Sequence, residues 1–310
     1  MKQRVISGAV LVVILAITLY FGGIVTCGLM ALVSLVGNME LLRVYGVNKK
    51  TPGIVCYLAT VLYYIAIYLD RMDIIVPMMV IYLLVMLAVY VLTFPTYSDK
   101  QIMAAFMDFF YVSVMLSFVY LIRNMEHGLV LVLLIFVSSW INDTCAYFVG
   151  RALGKHKMAP VLSPKKSIEG LIGGIVGAGV FGAVFGILFD KYVDTMNYAP
   201  LLFAVVGAVG ALPAVIGDLA ASAIKRNNDI KDYGKLIPGH GGILDRFDSI
   251  IFTAPIIHYL LVYGPEIVLT VIAPSESVIV TTLYLFPPSV TRTTICLLYT
   301  SPSPRDGATS

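Results

Sequence analysis

The residues best able to do chemistry in this chain lie in one polar stretch, Gly217–Ser249. Asp218, Ser222 and Lys225 recur at i, i+4 and i+7, one face of a helix, with Arg226 beside them. A carboxylate, a hydroxyl and two cations would therefore point into the same space. Asp245 and Asp248, three apart, share a face of the first turn of the next helix. Between the two groups, Pro238, Gly239, His240, Gly241 and Gly242 form a turn with bare backbone. N–H groups ahead of a helix start attract anions, so His240, Gly241 and Gly242 are candidate phosphate contacts. His240 could instead only cap the turn, and Asp245 and Asp248 could only complement the helix dipole. A second polar stretch adds Asp143, next to Asn142 in WINDTCAYFVGR, and Lys165 and Lys166 in SPKKSIEG. Lys231, Lys235 and Arg246 complete the cationic set.

Oxygen ligands without a Cys or His cluster suit Mg²⁺ rather than zinc. Asp218, Asp245, Asp248 and Asp143 are the expected metal ligands. Carboxylates that hold a metal, together with cations that orient phosphates, are most of what phosphoryl or nucleotidyl transfer requires.

The elements that must position these groups are apolar. Of 310 residues, 59% are hydrophobic and 13% charged, with a mean hydropathy of +0.91. Soluble domains carry about 25% charge. Here the apolar excess comes in runs of about 20 residues, long enough to cross a bilayer as helices. The expected fold is an all-α polytopic membrane protein with about nine transmembrane helices: 4–22, 24–45, 53–70, 73–94, 103–123, 128–149, 170–189, 199–223 and 249–264. A transmembrane barrel would show short alternating segments instead. With the N-terminus in the cytoplasm, sixteen Lys and Arg fall on the cytoplasmic side and three outside, the asymmetry of the positive-inside rule. Both polar stretches then share the cytoplasmic face. The first helix reads as uncleaved, since no small-x-small cleavage site follows it.

The glycines of spans seven and eight recur at four-residue spacing, which suits close helix packing; a phosphate loop would need a preceding strand and a closing Gly-Lys-Ser/Thr. Pro213 is expected to kink span eight. Ionisable residues within spans mark function by default. Asp108 is expected to reach the interface at the start of span five. Glu40 either pairs with Arg43 or lines the polar cavity. Cys27, Cys56, Cys145 and Cys296 lack metal-ligand spacing and read as small apolar side chains.

The run Ser222-Ala-Ile-Lys225-Arg226, then Lys231-Asp232, then Pro238-Gly-His240-Gly-Gly-Ile-Leu-Asp245-Arg246-Phe-Asp248 resembles the defining motif of the phosphatidate cytidylyltransferases. WINDTCAYFVGRALGKHK and SPKKSIEG resemble the second polar region of that family, with Cys145 where glycine is more usual. The likeness spans about residues 1–264. It implies the reaction of CTP with phosphatidate to give CDP-diacylglycerol and diphosphate. It also implies Mg²⁺, K⁺ as a second cation, a homodimer, no nucleic-acid partner, and a place in a bacterial inner membrane with the site cytoplasmic. By the same likeness, Asp218 and Asp245 are the principal metal ligands, supported by Asp248 and Asp143. Lys225 and Arg226 hold the lipid phosphate or the diphosphate, and Ser222 completes the stripe.

The domain expectation is an N-terminal helical region, 1–127, and a catalytic transmembrane region with two cytoplasmic polar loops, 128–264. Residues 265–295 form an apolar segment with no assigned role. Residues 296–310, CLLYTSPSPRDGATS, are expected to be non-native, because they resemble one reading frame of a sequencing adapter. Two other classes fit parts of the pattern: a CTP-using enzyme acting on another lipid, and a transporter. The charges gather at one membrane face rather than at midplane, which argues against the transporter.

Overall fold

The computed structural model describes residues 2–193, 198–237 and 241–272. The nine apolar runs are helical in it, two of them as pairs of helices, eleven α-helices in all among the described residues. In chain order they are α1 (Lys2–Phe21), α2 (Gly23–Val44), α3 (Thr51–Tyr68), α4 (Ile75–Leu92), α5 (Asp99–Asp108), α6 (Met115–Arg123), α7 (Gly128–Phe136), α8 (Asn142–Leu153), α9 (Ile168–Phe189), α10 (Ala199–Asn227) and α11 (Leu244–Ile272). Two spans are each built from two helices joined by a π-helical turn. Phe109–Val114 joins α5 to α6, and Val137–Ile141 joins α7 to α8. Among the described residues, eight helices are long and apolar enough to cross a bilayer, and Ser7–Phe21 is a shorter apolar helix. The protein is a multi-pass, all-α membrane protein. A two-stranded antiparallel hairpin, β1 (Lys157–Ala159) and β2 (Ser163–Ser167), is the one sheet among the described residues.

The outer faces of these helices stay apolar: Leu84, Leu92, Val180 and Ile187 are exposed, as a lipid solvent requires. The interior is sealed by Phe109, Leu116, Leu131 and Phe203, all fully buried. Polar side chains where α2, α3 and the first π turn meet are matched with one another. Asn38 Nδ2 donates to Thr60 Oγ1 at 2.8 Å and to Ser113 Oγ at 2.9 Å, tying α2 to α3 and to the first π turn. The expected small-residue seam is present on α9, where Gly170, Gly174, Ala178, Gly182 and Gly186 are buried against α8 and α10. A Cβ on Gly182 would collide with the Phe203 carbonyl, so these backbones pack closer than any larger residue permits. Pro213 lies inside the continuous helix α10.

Two expectations need correcting. Asp108 does not reach the interface: it is fully buried, and Cys56 Sγ donates to its Oδ2 at 3.6 Å. The reason is the start of its helix. Ser98 and Gln101 form a capping box that starts α5 at Asp99, upstream of the expected 103, and carries Asp108 into the bundle. The last span likewise begins at Leu244 rather than 249 and runs to Ile272. Residues 273–310, with the rest of the unassigned apolar segment and the adapter-like tail, lie outside the described residues.

Candidate active site

The site forms where three helix ends meet: the C-terminal ends of α2 and α10 and the start of α11. N–H groups at a helix start need acceptors, and carboxylates from two sides take the amides of Gly242, Ile243 and Leu244 where α11 begins. Glu40, 1% exposed, accepts from Ile243 N at 3.1 Å and Leu244 N at 3.0 Å. Asp245 Oδ2 accepts from Gly242 N at 2.9 Å and from Tyr233 N at 2.8 Å. Neither reading offered for Glu40 describes it: Glu40 caps α11, and Arg43 is spent on the Tyr233 carbonyl at 2.5 Å. Gly242 has to be glycine here, because a Cβ would run into both Glu40 oxygens. Gly241 has φ 90°, in the left-handed region, and a Cβ there would meet Asp245 Oδ2 at 2.8 Å.

Tyr233 holds the segment between α10 and α11. Its hydroxyl donates to the Ala221 carbonyl at 3.0 Å, and burial pushes its phenol well above the ordinary range, so it stays a donor. Its ring lies 5.4 Å from Lys225 Nζ. Lys225 Nζ donates to Asp245 Oδ1 at 2.9 Å, with the two side chains 15% and 3% exposed. Asp245 thus accepts three donors and retains one of its about four lone-pair positions.

A second ion pair lies beside the first. Lys166, on β2, places Nζ 2.5 Å from Asp218 Oδ2. The ammonium is buried and holds that carboxylate at the cavity wall. Asp218 interacts electrostatically with Asp143 and Asp248. Asn142 donates to Asp143 Oδ1 at 3.3 Å, and its own Oδ1 is buried and unpartnered. Gly217 lets α10 approach α11 so closely that a Cβ would strike the Asp248 carbonyl; this contact brings Asp218 and Asp248 together.

The two ion pairs, Asn142, Asp143 and Asp248 border one cavity of about 890 Å³, near the top of the ~300–1,000 Å³ usual for small-molecule sites. Of the residues singled out in the sequence, Asp143, Lys165, Lys166, Asp218, Lys225, Asp245, Arg246 and Asp248 border it. Ser222, Arg226, Lys231, Lys235, Gly241 and Gly242 do not; the Gly242 amide is already taken by Asp245. His240, with Pro238 and Gly239, lies outside the described residues. Sequence reasoning missed Tyr233, the clamping role of Glu40, and the apolar wall that α1 and α2 lend to the cavity.

Among the described residues, no three of His, Cys, Asp and Glu converge as a ready-made metal cage. The donor set nonetheless fits Mg²⁺ in kind. That ion is bound through one or two carboxylates plus phosphates and waters, and Asp218, Asp248 and Asp143 are hard oxygen donors around one space.

The model of the Cytidylyltransferase family matches residues 2–263. The chain belongs to the cytidylyltransferase family. It is therefore a nucleotidyltransferase. It is 30% identical over 267 residues to a protein of Staphylococcus saprophyticus named phosphatidate cytidylyltransferase, covering 84% of this chain and 99% of the relative. It is 31% identical over 265 residues to the protein of that name in Staphylococcus epidermidis, with the same coverage. The protein of that name in Staphylococcus haemolyticus is 32% identical over 269 residues, again at 84% and 99%.

Proposed function

We propose that this chain transfers the cytidylyl group of CTP to phosphatidate, giving CDP-diacylglycerol and diphosphate, at the cytoplasmic face of a bacterial membrane. The observation that carries this reading is a single cavity with two kinds of wall. One side holds Lys166, Lys225, Asp218 and Asp248; the other is formed by apolar residues of α1 and α2. An amphiphilic acceptor and a polyphosphate donor need both.

Asp218, Asp248 and Asp143 would hold Mg²⁺, and Asp245 has one lone pair to add. When bound, the ion neutralises charge on the phosphates. The resemblance also implies a second, monovalent cation such as K⁺ and a homodimer, and both belong to this proposal. Lys166, paired with Asp218 at the cavity wall, orients the phosphates of CTP. Lys225, fixed by Asp245 and the Tyr233 ring, faces the lipid phosphate or the leaving diphosphate. An oxygen of phosphatidate attacks the α-phosphorus in line, and the bond to the β-phosphate oxygen breaks, with its electron pair leaving on diphosphate. No proton has to move, which suits a cavity bordered by carboxylates and ammonium groups. Positioning and electrostatics therefore supply the catalysis.

The test is purified protein in detergent micelles with radiolabelled CTP. The expected result is label in the organic phase and stoichiometric diphosphate, each requiring phosphatidate and a divalent cation. Label entering an isoprenoid alcohol or an ether lipid instead, with none in phosphatidate, would overturn the assignment.

A further inference from the structure

The phosphates take the polar half of the cavity, and the hydrocarbon of the acceptor falls to the apolar half. Leu11, Val12 and Leu15 of α1 face Leu29, Leu32 and Val33 of α2 across that half. The two helices form a hairpin that turns at Gly22. Counted from Gly22, Leu11 is level with Val33, Val12 with Leu32, and Leu15 with Leu29. The six residues thus make matched rungs rather than scattered contacts. The wall continues to Val36, about one turn before Glu40, so it ends where the ion-paired cluster begins. From Leu29 to Val36 it is about 10 Å deep at ~1.5 Å per residue. One leaflet of the hydrocarbon core is about 15 Å. Val12 and Leu32 are 48% and 57% exposed, while Val33 is 7% exposed. Leu11, Leu15 and Leu29 are half-buried beside Val33, and the Val12–Leu32 edge opens sideways to lipid.

We propose that the α1–α2 hairpin is the seat of one acyl chain of the lipid acceptor and that Leu11, Leu15, Leu29 and Val33 set which chains fit. The inference rests on the phosphatidate reading and adds to it a binding element remote from the charged motif. The occupant follows from continuity, because the same cavity wall passes from phosphate-binding cations to aliphatic side chains without a break. A bilayer solvates an acyl chain as well as leucine does. The seat therefore acts by shape, accepting chains that pass between the rungs, rather than by hydrophobic gain.

The test uses full-length protein in mixed micelles and compares kcat/KM for dioleoyl- and dioctanoyl-phosphatidate. Leu11→Phe fills the rung, and the long-to-short ratio is expected to fall about tenfold, the scale of an overpacked site, with the KM for CTP unmoved. Val13→Phe, on the same helix but exposed and off the cavity, is expected to leave the ratio as it is. Wild-type protein is also irradiated with phosphatidate carrying a diazirine in one acyl chain. Adducts in residues 8–15 and 29–36 support the seat even if Leu11→Phe does not fold. An unchanged ratio in a folded Leu11→Phe, or adducts confined to other helices, overturns it. Failure of the wild type to form any cytidylylated lipid from phosphatidate would overturn the underlying reading, and the seat with it.

Discussion

Glu40 gives the sharpest test of how the site is held, because it works without bordering the cavity. Its two oxygens receive the Ile243 and Leu244 amides at 3.1 and 3.0 Å. The residue is 1% exposed, and Gly234 and Gly242 press against the carboxylate. Glu40→Gln keeps the shape but replaces one acceptor by an NH₂ donor that must face a backbone N–H. A charge-assisted hydrogen bond worth about 1.5–3 kcal/mol is lost, and one buried amide is left unsatisfied at about 1–3 kcal/mol. Loss of the negative charge at a helix N-terminus adds up to ~2 kcal/mol. Allowing for overlap among these, about 3 kcal/mol is expected. If it falls on the ordering of the α11 start, which carries Asp245 and Asp248, activity drops about a hundredfold, at ~1.36 kcal/mol per decade. The assays are kcat/KM for CTP and the unfolding midpoint in detergent, and both should fall. Glu40→Asp, one methylene short, should satisfy one amide and lie between. A Glu40→Gln protein with wild-type turnover and unfolding midpoint would show that the carboxylate does not clamp α11.

Three further outcomes are expected. Asp245→Ala strands the buried Lys225 ammonium and frees the Tyr233 and Gly242 amides; breaking such a pair costs about 3–5 kcal/mol. Activity should vanish and the unfolding midpoint should drop with it, whereas loss of turnover at an unchanged midpoint would assign Asp245 to the reacting groups alone. Lys225→Arg keeps the charge but not the point geometry shared by Asp245 and the Tyr233 ring; a fall of about tenfold or more in kcat/KM is expected, and full activity would count against a positioned ammonium. Gly182→Val forces α9 away from the Phe203 carbonyl. It should destabilise by roughly 1–3 kcal/mol, the scale of overpacking, read as an earlier unfolding midpoint while the KM for CTP of the folded fraction is kept.

The span plan was legible because hydrocarbon imposes it. Runs of about 20 apolar residues have one stable form there. That Asp218 and Lys225 border one cavity was legible from helical spacing, whereas Ser222 and Arg226, expected beside them, do not border it. The clamp was not, because Glu40 and Ile243 are joined across the length of the chain and no local spacing encodes that contact. The depth of Asp108 was misread although its signal is local: the Ser98–Gln101 capping box sets the helix start and so the depth of everything after it. The acyl wall was invisible for another reason. A leucine facing lipid and a leucine facing a cavity are the same letter, and only the packing of α1 on α2 tells them apart. Tyr233 stands among charged residues, and its importance lies in backbone groups that carry no sequence signal.

The π turn at Val137–Ile141 also makes the chain sensitive to length at a point where no reactive group stands. A π turn holds one residue more than the α-helix would, so it offsets everything downstream in the same span by about 100° of rotation. Ahead of it, Leu131, Leu134 and Ile135 are sealed in the core; behind it, Asp143, Ala146 and Tyr147 border the cavity. Deleting a single residue between 137 and 141 would let the helix relax to regular pitch and swing Asp143 out of alignment with Asp218, with every polar side chain still encoded. Insertions and deletions here should therefore be tolerated far less than substitutions, and the segment works as a spacer whose residue count matters more than its composition.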